Sequence, residues 1–247
     1  MNLRSFFSEF KAYGLAFSGG ADSSYLLYAG LNYAADIKAY YVKTAFQPSF
    51  ELSDALALTA QLGVPLNVLE RDITNERRIL ENTEKRCYFC KRVIFETLMK
   101  YAAEDGCDVI IDGTNASDDE QDRPGMRILK EMSIRSPLRE CGLTKDKIRE
   151  LSREAGLFTW DKPSYSCLAT RIPVGTPITT ESLRIIESTE DILFDLGFSD
   201  FRVRFFGDEA RIQLKAAQMP ALLEKRDSVL NGLKPYFSKI TLDLDER

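Results

Sequence analysis

The stretch that most constrains this chain is Leu15-Ala-Phe-Ser-Gly-Gly-Ala-Asp-Ser-Ser24. The apolar run 13–17 predicts a buried strand, and the apolar run 25–29, opened by Asp22, predicts a helix. The turn between them, 18–20, is one that only small residues can form. Backbone N–H groups and the helix dipole favour an anion at such a turn. The stretch therefore predicts a phosphate-binding site.

Two common phosphate-binding patterns do not match this stretch. It lacks the lysine of G-x-x-x-x-G-K-[ST], and its glycines do not have the spacing of G-x-G-x-x-G. Ser-Gly-Gly-x-Asp-Ser instead resembles the PP-loop of ATP pyrophosphatases, which adenylylate a substrate and release pyrophosphate. The alternative interpretation is an ordinary glycine-rich turn between a strand and a helix.

Composition narrows the class of protein. The 247 residues carry a net charge of -5, and 44% of them are hydrophobic, so the chain can bury a sizeable core but attracts nucleic acid weakly. No apolar run approaches the length of a membrane span, and residues 1–5 lack the apolar segment of a signal peptide. We therefore expect a cytoplasmic protein without membrane association or stable nucleic-acid binding. The absence of histidine removes the commonest general base and the commonest zinc ligand.

Apolar strands alternate with helical patterns over the first two thirds of the chain. Strands are predicted over 13–17, 37–43, 65–69, 108–112 and 134–138, and helices over 49–62, 75–80, 91–103 and 144–155. This alternation predicts an α/β fold with a parallel sheet, of the adenine nucleotide α-hydrolase-like type once the PP-loop resemblance is added. Ligands bind beyond the carboxyl ends of such strands. We therefore expect the loop 18–22, the segment after Val42 and residues 113–115 to face one site.

The last third of the chain has its own pattern. Alternating runs over 201–205 and 210–214 predict a hairpin, flanked by helices over 180–196 and 218–230 and followed by a strand over 239–244. This order predicts a small α+β domain. Pro173, Gly175 and Pro177 mark the boundary. Domains are therefore predicted over 1–170, which carries the PP-loop and the reactive cysteines, and over 171–247, which serves substrate binding and oligomerisation.

Five cysteines without a secretory context argue against a disulfide framework. Cys87 and Cys90 lie one helical turn apart, immediately before a predicted helix, where the dipole and basic neighbours favour thiolates. A thioredoxin-type redox pair would follow the first strand, and a four-cysteine zinc site would need a second pair, which the chain lacks. A structural pair and a three-cysteine iron–sulfur site that includes Cys167 both stay open. Cys107 and Cys141 are interpreted as structural.

Cys167 lies in a segment of small and polar residues, 162–175, which is bounded by prolines and predicts a loop. Lys162 and Arg171 flank this cysteine and favour its thiolate. A buried structural cysteine more usually lies within an apolar period. The segment therefore predicts a reactive thiol.

Five segments resemble the LarE family of ATP-dependent sulfur transferases, which make the thiolated nucleotide precursor of the nickel-pincer cofactor of lactate racemase. They are Ser-Gly-Gly-Ala-Asp-Ser (18–23), Arg-Cys-Tyr-Phe-Cys-Lys (86–91), Asp-Gly-Thr-Asn-Ala-Ser-Asp-Asp (112–119), Arg-Pro-Gly (123–125) and Pro-Ser-Tyr-Ser-Cys-Leu-Ala-Thr-Arg-Ile-Pro (163–173). The resemblance extends to the hairpin 203–212 and so covers nearly the whole chain.

The resemblance implies a reaction. The substrate would be pyridinium-3,5-biscarboxylic acid mononucleotide, and ATP would convert one carboxylate to an acyl-adenylate. Sulfur would then displace AMP and leave a thiocarboxylate. A thiolate or sulfide needs no imidazole base, which agrees with the absence of histidine.

The resemblance also implies the source of the sulfur. Family members carry it on the residue that matches Cys167, and some give up that sulfur and keep dehydroalanine. Others also match Cys87 and Cys90 and carry a [4Fe-4S] cluster on three cysteines, whose fourth iron would hold a sulfide. This chain resembles the second kind. The family tends to form homo-oligomers, and the protein that supplies sulfide is not identified by the sequence.

Site residues follow from the PP-loop and from the resemblance. Asp22 would position Mg²⁺, with a helix-start carboxylate as the alternative. Glu187 and Glu190, three residues apart on one helix, would help hold the metal, and for Glu187 the favoured alternative is an exposed helix carboxylate. Arg171 would counter the substrate's carboxylates or phosphate. Pyrophosphate would be bound by Ser18, Gly19, Gly20, Ser23 and Ser24; the adenylate by Asp112, Thr114 and Asn115; the substrate phosphate by Arg202, Arg204 and Arg211. For these three arginines the alternative is a solvated charged face.

Three other functions compete with this interpretation. A tRNA-thiolating PP-loop enzyme would use the same activation chemistry, but the acidic composition argues against it. An amidotransferase-like synthetase using ammonia would leave Cys167 unexplained. A non-enzymatic ATP- or AMP-sensing module would bind nucleotide without turnover.

Overall fold

The computed structural model describes residues 2–33, 35–118 and 124–246. The chain divides into two compact units, Met1–Asp72 with Lys85–Lys162, and Ile73–Glu84 with Pro163–Arg247. The predicted division after residue 170 differs from these bounds, and it did not place 73–84 with the second unit. Asp119 and Arg123, from two of the segments that resemble the LarE family, lie outside the described residues.

The helices and strands follow one another in the order α1 Leu3–Phe6, β1 Ala12–Ala16, α2 Ala21–Asn32, β2 Asp36–Lys43, α3 Ser49–Gln61, β3 Leu66–Glu70, α4 Arg77–Leu80, α5 Arg86–Glu104, β4 Val109–Asp112, α6 Pro124–Glu131, α7 Pro137–Glu140, α8 Lys145–Glu154, α9 Thr180–Asp195, β5 Arg202–Phe206, β6 Glu209–Gln213, α10 Met219–Glu224, α11 Arg226–Leu233 and β7 Lys239–Leu242. Short 3₁₀ helices cover Leu168–Arg171 and Ala216–Gln218.

The first unit is built on a parallel sheet. Over the described residues its strands lie in the order β3-β2-β1-β4, and every neighbouring pair is parallel. The strand order reverses at β1, so the carboxyl ends of β1 and β4 flank the crevice where ligands bind in such sheets. Buried side chains pack against α2 and α8 on one face and against α5 and α6 on the other. The predicted α/β class with a parallel sheet is confirmed.

Helix α5 begins at Arg86, five residues earlier than predicted. Cys87 and Cys90 therefore lie inside the first turns of the helix, and the prediction that they precede it is wrong. No side chain in the described ranges caps this helix, whose N-cap is Lys85. Because the N-cap position is occupied by lysine and not by Ser, Thr, Asp or Asn, the sequence gives no signal for this helix start.

A second correction concerns the predicted fifth strand, 134–138. Here the chain makes a single parallel bridge, between Arg135 and Ile111, and Pro137 then opens α7. Proline fits the first turn of a helix and cannot donate to a sheet, so the helix prevails. The predicted helix 218–230 is likewise divided, with α10 ending and α11 beginning around Lys225.

The second unit combines a three-stranded sheet with helices over the residues that the structure describes. β5 and β6 form the predicted hairpin, with Val203 opposite Ile212 and Arg204 opposite Arg211, and β7 pairs parallel to β6. Helix α9 begins at a capping box in which Thr179 and Ser182 exchange hydrogen bonds. This unit has its own hydrophobic core.

Asn82 joins residues 73–84, the short first segment of the second unit, to the rest of that unit. Its side-chain amide donates to the carbonyl oxygens of Pro173 at 2.8 Å and Thr176 at 2.9 Å, and its own carbonyl accepts from Gly175 at 2.9 Å. Asn82 is fully buried and has a positive φ of 52°. This clamp, the Asn82 clamp below, fixes the turn that follows the Cys167 loop.

No helix among the described residues has the length and apolar character needed to cross a membrane.

The turn at Gly19 generates a stability prediction. Its φ is +69°, and a Cβ placed there would lie 3.1 Å from Ala55 Cα on α3. Gly63, with a φ of +70°, has no atom within 4 Å of the same position, so Gly63→Ala isolates the backbone penalty. We expect Gly63→Ala to lower the free energy of unfolding by about 1–2 kcal/mol. We expect Gly19→Ala to cost about 1–3 kcal/mol more, because α3 must shift.

Urea denaturation of both variants measures the difference. Equal losses in the two variants would mean that Ala55 does not constrain the turn.

Candidate functional site

The PP-loop joins β1 to α2 through a network of small side chains. Ser23 Oγ lies 3.1 Å from Ser18 Oγ and donates to the carbonyl of Gly20 at 3.2 Å. Gly20 is the N-cap of α2, and within the described residues no side chain caps this helix. The first-turn N–H groups of a helix have no intrahelical acceptors. This helix end is therefore suited to bind an anion.

The carboxyl end of β4 meets the PP-loop. A Cβ built on Gly113 would lie 3.0 Å from the backbone nitrogen of Ser23, so only glycine allows the two loops to approach this closely. Asn115 stabilises its own loop, because its Oδ1 accepts from Ser117 N at 2.8 Å. Two of the three predicted segments, 18–22 and 113–115, are therefore brought together. Helix α3, which follows β2, packs against the first of them, because Ala55 lies beside Gly19.

Asp112 ends β4 as a buried carboxylate, 8% exposed. Ser136 Oγ donates to it at 2.7 Å and Thr114 Oγ1 at 2.6 Å. Burial raises the pKa of Asp112 above its ordinary value of 3.8, although these hydrogen bonds and the Lys91 ammonium oppose the shift. A charged carboxylate held against desolvation is a common mark of a functional site.

Lys145 is a site residue that was not predicted from the sequence. Its Nζ lies 2.6 Å from Asp22 Oδ2, and the two side chains are about a quarter exposed. Lys145 is the first residue of α8, where the helix dipole disfavours a cation. That unfavourable position is the signal in the sequence that could have identified it.

Asp22 fits the predicted magnesium role. Its Oδ1 is buried and accepts no hydrogen bond within the described ranges, so one carboxylate oxygen is left for a further partner. No group of three Cys, Asp or Glu residues among those the structure describes forms a ready metal site. A cation bound to Asp22 would therefore take its remaining ligands from the nucleotide and from water.

The cysteine pair lies at the same edge of the first unit. α5 precedes β4 in a βαβ crossover, so its N-terminal turn lies near the carboxyl ends of the strands. Cys87 and Cys90 are half-buried, and Arg86 Nη2 lies 3.5 Å from Cys87 Sγ. The pair suits two ligand positions of an iron–sulfur cluster, whereas Cys167 belongs to the second unit.

In the second unit, one buried ion pair organises the loop that carries Cys167. Arg171 Nε and Nη2 each lie 2.9 Å from an oxygen of Glu190, and neither side chain is more than 1% exposed. The remaining nitrogen, Nη1, donates to the carbonyls of Ser166 at 2.6 Å and Cys167 at 3.2 Å. Arg171 therefore holds the backbone on which Cys167 is carried.

Glu190 receives two further donors. Val203 N donates to its Oε1 at 2.9 Å, and the Tyr165 hydroxyl donates to its Oε2. Its carboxylate thus joins α9, the hairpin and the Cys167 loop. This geometry argues against a magnesium ion at Glu190, because a cation would have to displace Arg171.

Tyr165 forms cation–π contacts with two guanidinium groups. The Cζ atoms of Arg171 and Arg202 lie 4.3 Å and 4.7 Å from its ring centre. Burial, and then the Glu190 carboxylate, raise the pKa of Tyr165 above its ordinary value of 10. A neutral ring therefore contacts both cations through its π-system.

Buried Arg202 and half-buried Arg204 form a positive cluster. Arg202 donates to the carbonyls of Phe201 and Ser164, and Arg204 to Gln213 Oε1 and the carbonyl of Thr170. Neither forms a salt bridge with a carboxylate in the described parts of the chain. Burial, and next Arg171, lower the pKa of Arg202 to about 10 and lower that of Arg204. An added anion would relieve this unfavourable charge.

A groove opens beside this cluster. It has a volume of about 230 Å³, and its lining includes Thr170, Arg204, Phe206, Arg211 and Asp243. Arg211 lies over the Phe206 ring, with its Cζ 4.8 Å from the ring centre. Arg204 and Arg211 are cross-strand neighbours, as the alternation of the hairpin predicts. Arg202, by contrast, is only 3% exposed and is covered by Ser164 and Tyr165 of the Cys167 loop.

Similarity to known proteins identifies the family to which this chain belongs. No protein-family model matches the chain. The chain is 36% identical, over 99% of its length, to an uncharacterized protein of Synechocystis sp., of which it covers 92%. It is 31% identical, over 93% of its length, to the pyridinium-3,5-bisthiocarboxylic acid mononucleotide synthase of Lactiplantibacillus plantarum, a LarE protein of which it covers 84%.

The chain belongs to the LarE family.

A more distant match defines the wider class. The tRNA-specific 2-thiouridylase of Pseudothermotoga lettingae is 32% identical over 60% of this chain and is covered over 53% of its own length. The LarE proteins and the thiouridylases share the PP-loop and use ATP to transfer sulfur, so this chain is an enzyme of that class. The predicted family and enzyme class are confirmed, whereas the roles of the individual site residues stay predictions.

Asp112 generates a pH prediction for this member of the LarE family. Its folded-state pKa is raised, so the ionised carboxylate costs stability at neutral pH. Asp112→Asn removes the charge, and we expect a higher free energy of unfolding than wild type at pH 7. The gain should shrink as the pH falls through the folded-state pKa and vanish below 3.8. Urea denaturation of both proteins at successive pH values measures this difference.

The control for this experiment is Asp146→Asn, which removes an exposed carboxylate from the first turn of α8. It should give no gain at neutral pH, because an acidic residue suits that position. A loss of stability in Asp112→Asn at pH 7 would contradict the interpretation.

The Arg171–Glu190 pair generates a second prediction for the LarE site. Glu190→Gln leaves the Arg171 charge buried without a counter-ion, and we expect a loss of about 3–5 kcal/mol in the free energy of unfolding. Hydrogen exchange at the Val203 amide, which donates to Glu190, should accelerate. Glu181→Gln, on the same helix, breaks an exposed pair with Arg184 and should cost under about 1 kcal/mol. Equal effects in the two variants would show that the buried pair does not organise this unit.

Proposed function

We propose that this chain uses ATP to convert a carboxylate of pyridinium-3,5-biscarboxylic acid mononucleotide into a thiocarboxylate. One observation carries the proposal: the match to the Lactiplantibacillus plantarum synthase extends over 93% of the chain and so includes both units. The thiouridylase match is confined to 60% of the chain. We assign the activation chemistry to the part of the chain that matches both the synthase and the thiouridylase. We assign substrate recognition to the part that matches the synthase but not the thiouridylase.

The first step is adenylylation. A substrate carboxylate oxygen attacks the α-phosphorus of ATP, and the bond from that phosphorus to the bridging oxygen of pyrophosphate breaks. The uncapped first turn of α2 would bind the departing pyrophosphate through its N–H groups. A magnesium ion held by Asp22 would neutralise charge on the phosphates. Gly113 and Thr114 line the opposite side of this position, in keeping with a contact to the adenylate.

The second step is sulfur transfer. A sulfur nucleophile attacks the acyl carbon, the carbon–oxygen bond to AMP breaks, and AMP leaves with that oxygen. The product is a thiocarboxylate when the nucleophile is sulfide. When the nucleophile is Cys167 Sγ, a thioester forms first, and loss of the Cα proton then breaks the Cβ–sulfur bond, which leaves dehydroalanine in the chain. The attacking sulfur would be a thiolate or hydrosulfide, so the transfer step needs no histidine, and the Cα proton lost in the elimination would pass to solvent water.

The substrate phosphate would bind in the second unit. Buried Arg202 and half-buried Arg204 form a positive cluster, and the groove beside it carries Arg204 and Arg211. Arginine suits a phosphate because its planar guanidinium offers paired donors. Arg171 is already bound to Glu190, so we propose for it the support of the Cys167 loop and no direct contact with the substrate.

The sulfur source divides into two proposals. A [4Fe-4S] cluster on Cys87, Cys90 and Cys167 would supply a sulfide and make the chain a reusable carrier. The pair on α5 suits two ligand positions of such a cluster. Cys167 as its own donor would be consumed once per chain. Magnesium dependence, homo-oligomerisation and a cytoplasmic location also stay predictions.

The test uses the full-length chain, purified without oxygen, with ATP, MgCl₂, sulfide and the biscarboxylic mononucleotide. We expect pyrophosphate release that depends on the mononucleotide, and a product in which sulfur replaces oxygen by mass spectrometry. Asp22→Asn should abolish release, whereas Asp146→Asn should not. Release with tRNA in place of the mononucleotide would favour a tRNA-thiolating enzyme. The absence of release with both substrates would favour a nucleotide sensor.

The same preparations identify the sulfur source. Iron and acid-labile sulfide present in wild type and lost in Cys87→Ala and Cys167→Ala would support the cluster. Cys107→Ala and Cys141→Ala are the matched controls, because burial raises the pKa of both thiols and makes them poor ligands. Iron-free wild type that turns over once and loses the Cys167 sulfur would support the sacrificial mechanism.

A further inference from the structure

Lys145 is a cation beside the PP-loop that the proposed mechanism does not yet use. Its Nζ lies 2.6 Å from Asp22 Oδ2. Asp22 lies in the first turn of α2, directly after the loop that is suited to bind phosphate. The ammonium is therefore next to the position that the nucleotide's phosphate chain would occupy.

The backbone of Lys145 is fixed to the opposite wall of this site. Its N–H donates to Ser117 Oγ at 3.0 Å, and Ala116 N donates to the carbonyl of Leu143 at 2.8 Å. These bonds join the start of α8 to the loop that follows β4. Lys145 thus extends from one loop of the site to a carboxylate on the other.

The stability of α8 does not account for a lysine at this position. Lys145 occupies the first turn, where the helix dipole disfavours positive charge. Its neighbour Asp146 has the charge that suits this turn, and Thr144 already caps the helix by accepting from Lys147 N. A lysine placed here against the dipole indicates a task at the end of its side chain.

We propose that Lys145 is a displaceable counter-ion, which releases Asp22 when ATP binds and then binds an oxygen of the nucleotide's phosphate chain. This inference rests on the proposed function, because it requires ATP at the PP-loop. Asp22 Oδ1 is buried and has no hydrogen-bond partner among the described residues, so this carboxylate is incompletely neutralised by Lys145 alone. A lysine ammonium has three rotatable donors on a flexible stem and can change partners without backbone movement.

The first experiment measures equilibrium binding of ATP with Mg²⁺ to the full-length chain. Lys145→Met removes a charge-assisted hydrogen bond, and we expect ATP affinity to fall about 10-fold or more. Lys145→Arg keeps the charge and should retain most of the affinity. The matched control is Lys147→Met, on the same turn of α8, where Lys147 is exposed and paired with Glu150. It should change ATP affinity less than about 2-fold.

The second experiment separates an exchange from a structural role. Mn²⁺ binding is measured by electron paramagnetic resonance in the absence of nucleotide. Removal of Lys145 leaves Asp22 without its counter-ion, so Lys145→Met should bind Mn²⁺ more tightly than wild type while it binds ATP more weakly. The double variant Asp22→Asn/Lys145→Met should lose the gain. A lysine with a structural role alone would not move the two affinities in opposite directions.

These measurements test the proposed function and the role of Lys145 separately. Wild type that binds no ATP would overturn the proposed function and this inference together. Wild type that binds ATP, with equal affinity in Lys145→Met, would overturn this inference alone. Lower affinity for both ATP and Mn²⁺ in Lys145→Met and Lys145→Arg would also overturn it, because that result indicates a structural lysine.

Discussion

The carboxylate of Glu190 is the interaction on which the second unit depends. Four donors converge on it, from Arg171, Tyr165 and Val203, and these groups come from the Cys167 loop and the hairpin. A buried ion pair rarely adds stability compared with apolar packing, but it tolerates few alternative arrangements. Its value here is positional: it fixes a loop of small and polar residues that has little apolar surface of its own. The Cys167 thiol, which we predict to be reactive, is thus carried on a backbone that Arg171 holds in place.

Local features of the site could be predicted from the sequence, because they depend on neighbours in the chain. The PP-loop is set by its glycines and by the change from strand to helix, and the hairpin is set by alternation around Gly207. The start of α5 was missed because Lys85 gives no capping signal. The strand predicted over 134–138 failed because an apolar run of that length is ambiguous, and Pro137 favours a helix start.

The features that could not be predicted are those that require distant segments to meet. Alternation placed Arg202 and Arg204 on one face of the hairpin, but it could not show that Tyr165, from a loop, covers Arg202. The pairing of Lys145 with Asp22 spans 123 residues of sequence. The hydrogen bond that Ser136 donates to the buried carboxylate of Asp112 likewise joins residues 24 positions apart. Charge at a helix end or a strand end was visible in the sequence, but its partner was not.

The Asn82 clamp has a consequence for how this enzyme can be divided. Its donor belongs to the short segment 73–84, and its acceptors lie some 90 residues further along the chain. The second unit is therefore discontinuous, and the polypeptide passes between the two units at three places. A fragment that begins at Pro163 would lack the amide that closes its own turn. Recombination cannot transfer such a unit to another protein as a single contiguous insert. Because the first unit supplies the chain between its two segments, the second unit can be inherited only together with the PP-loop unit.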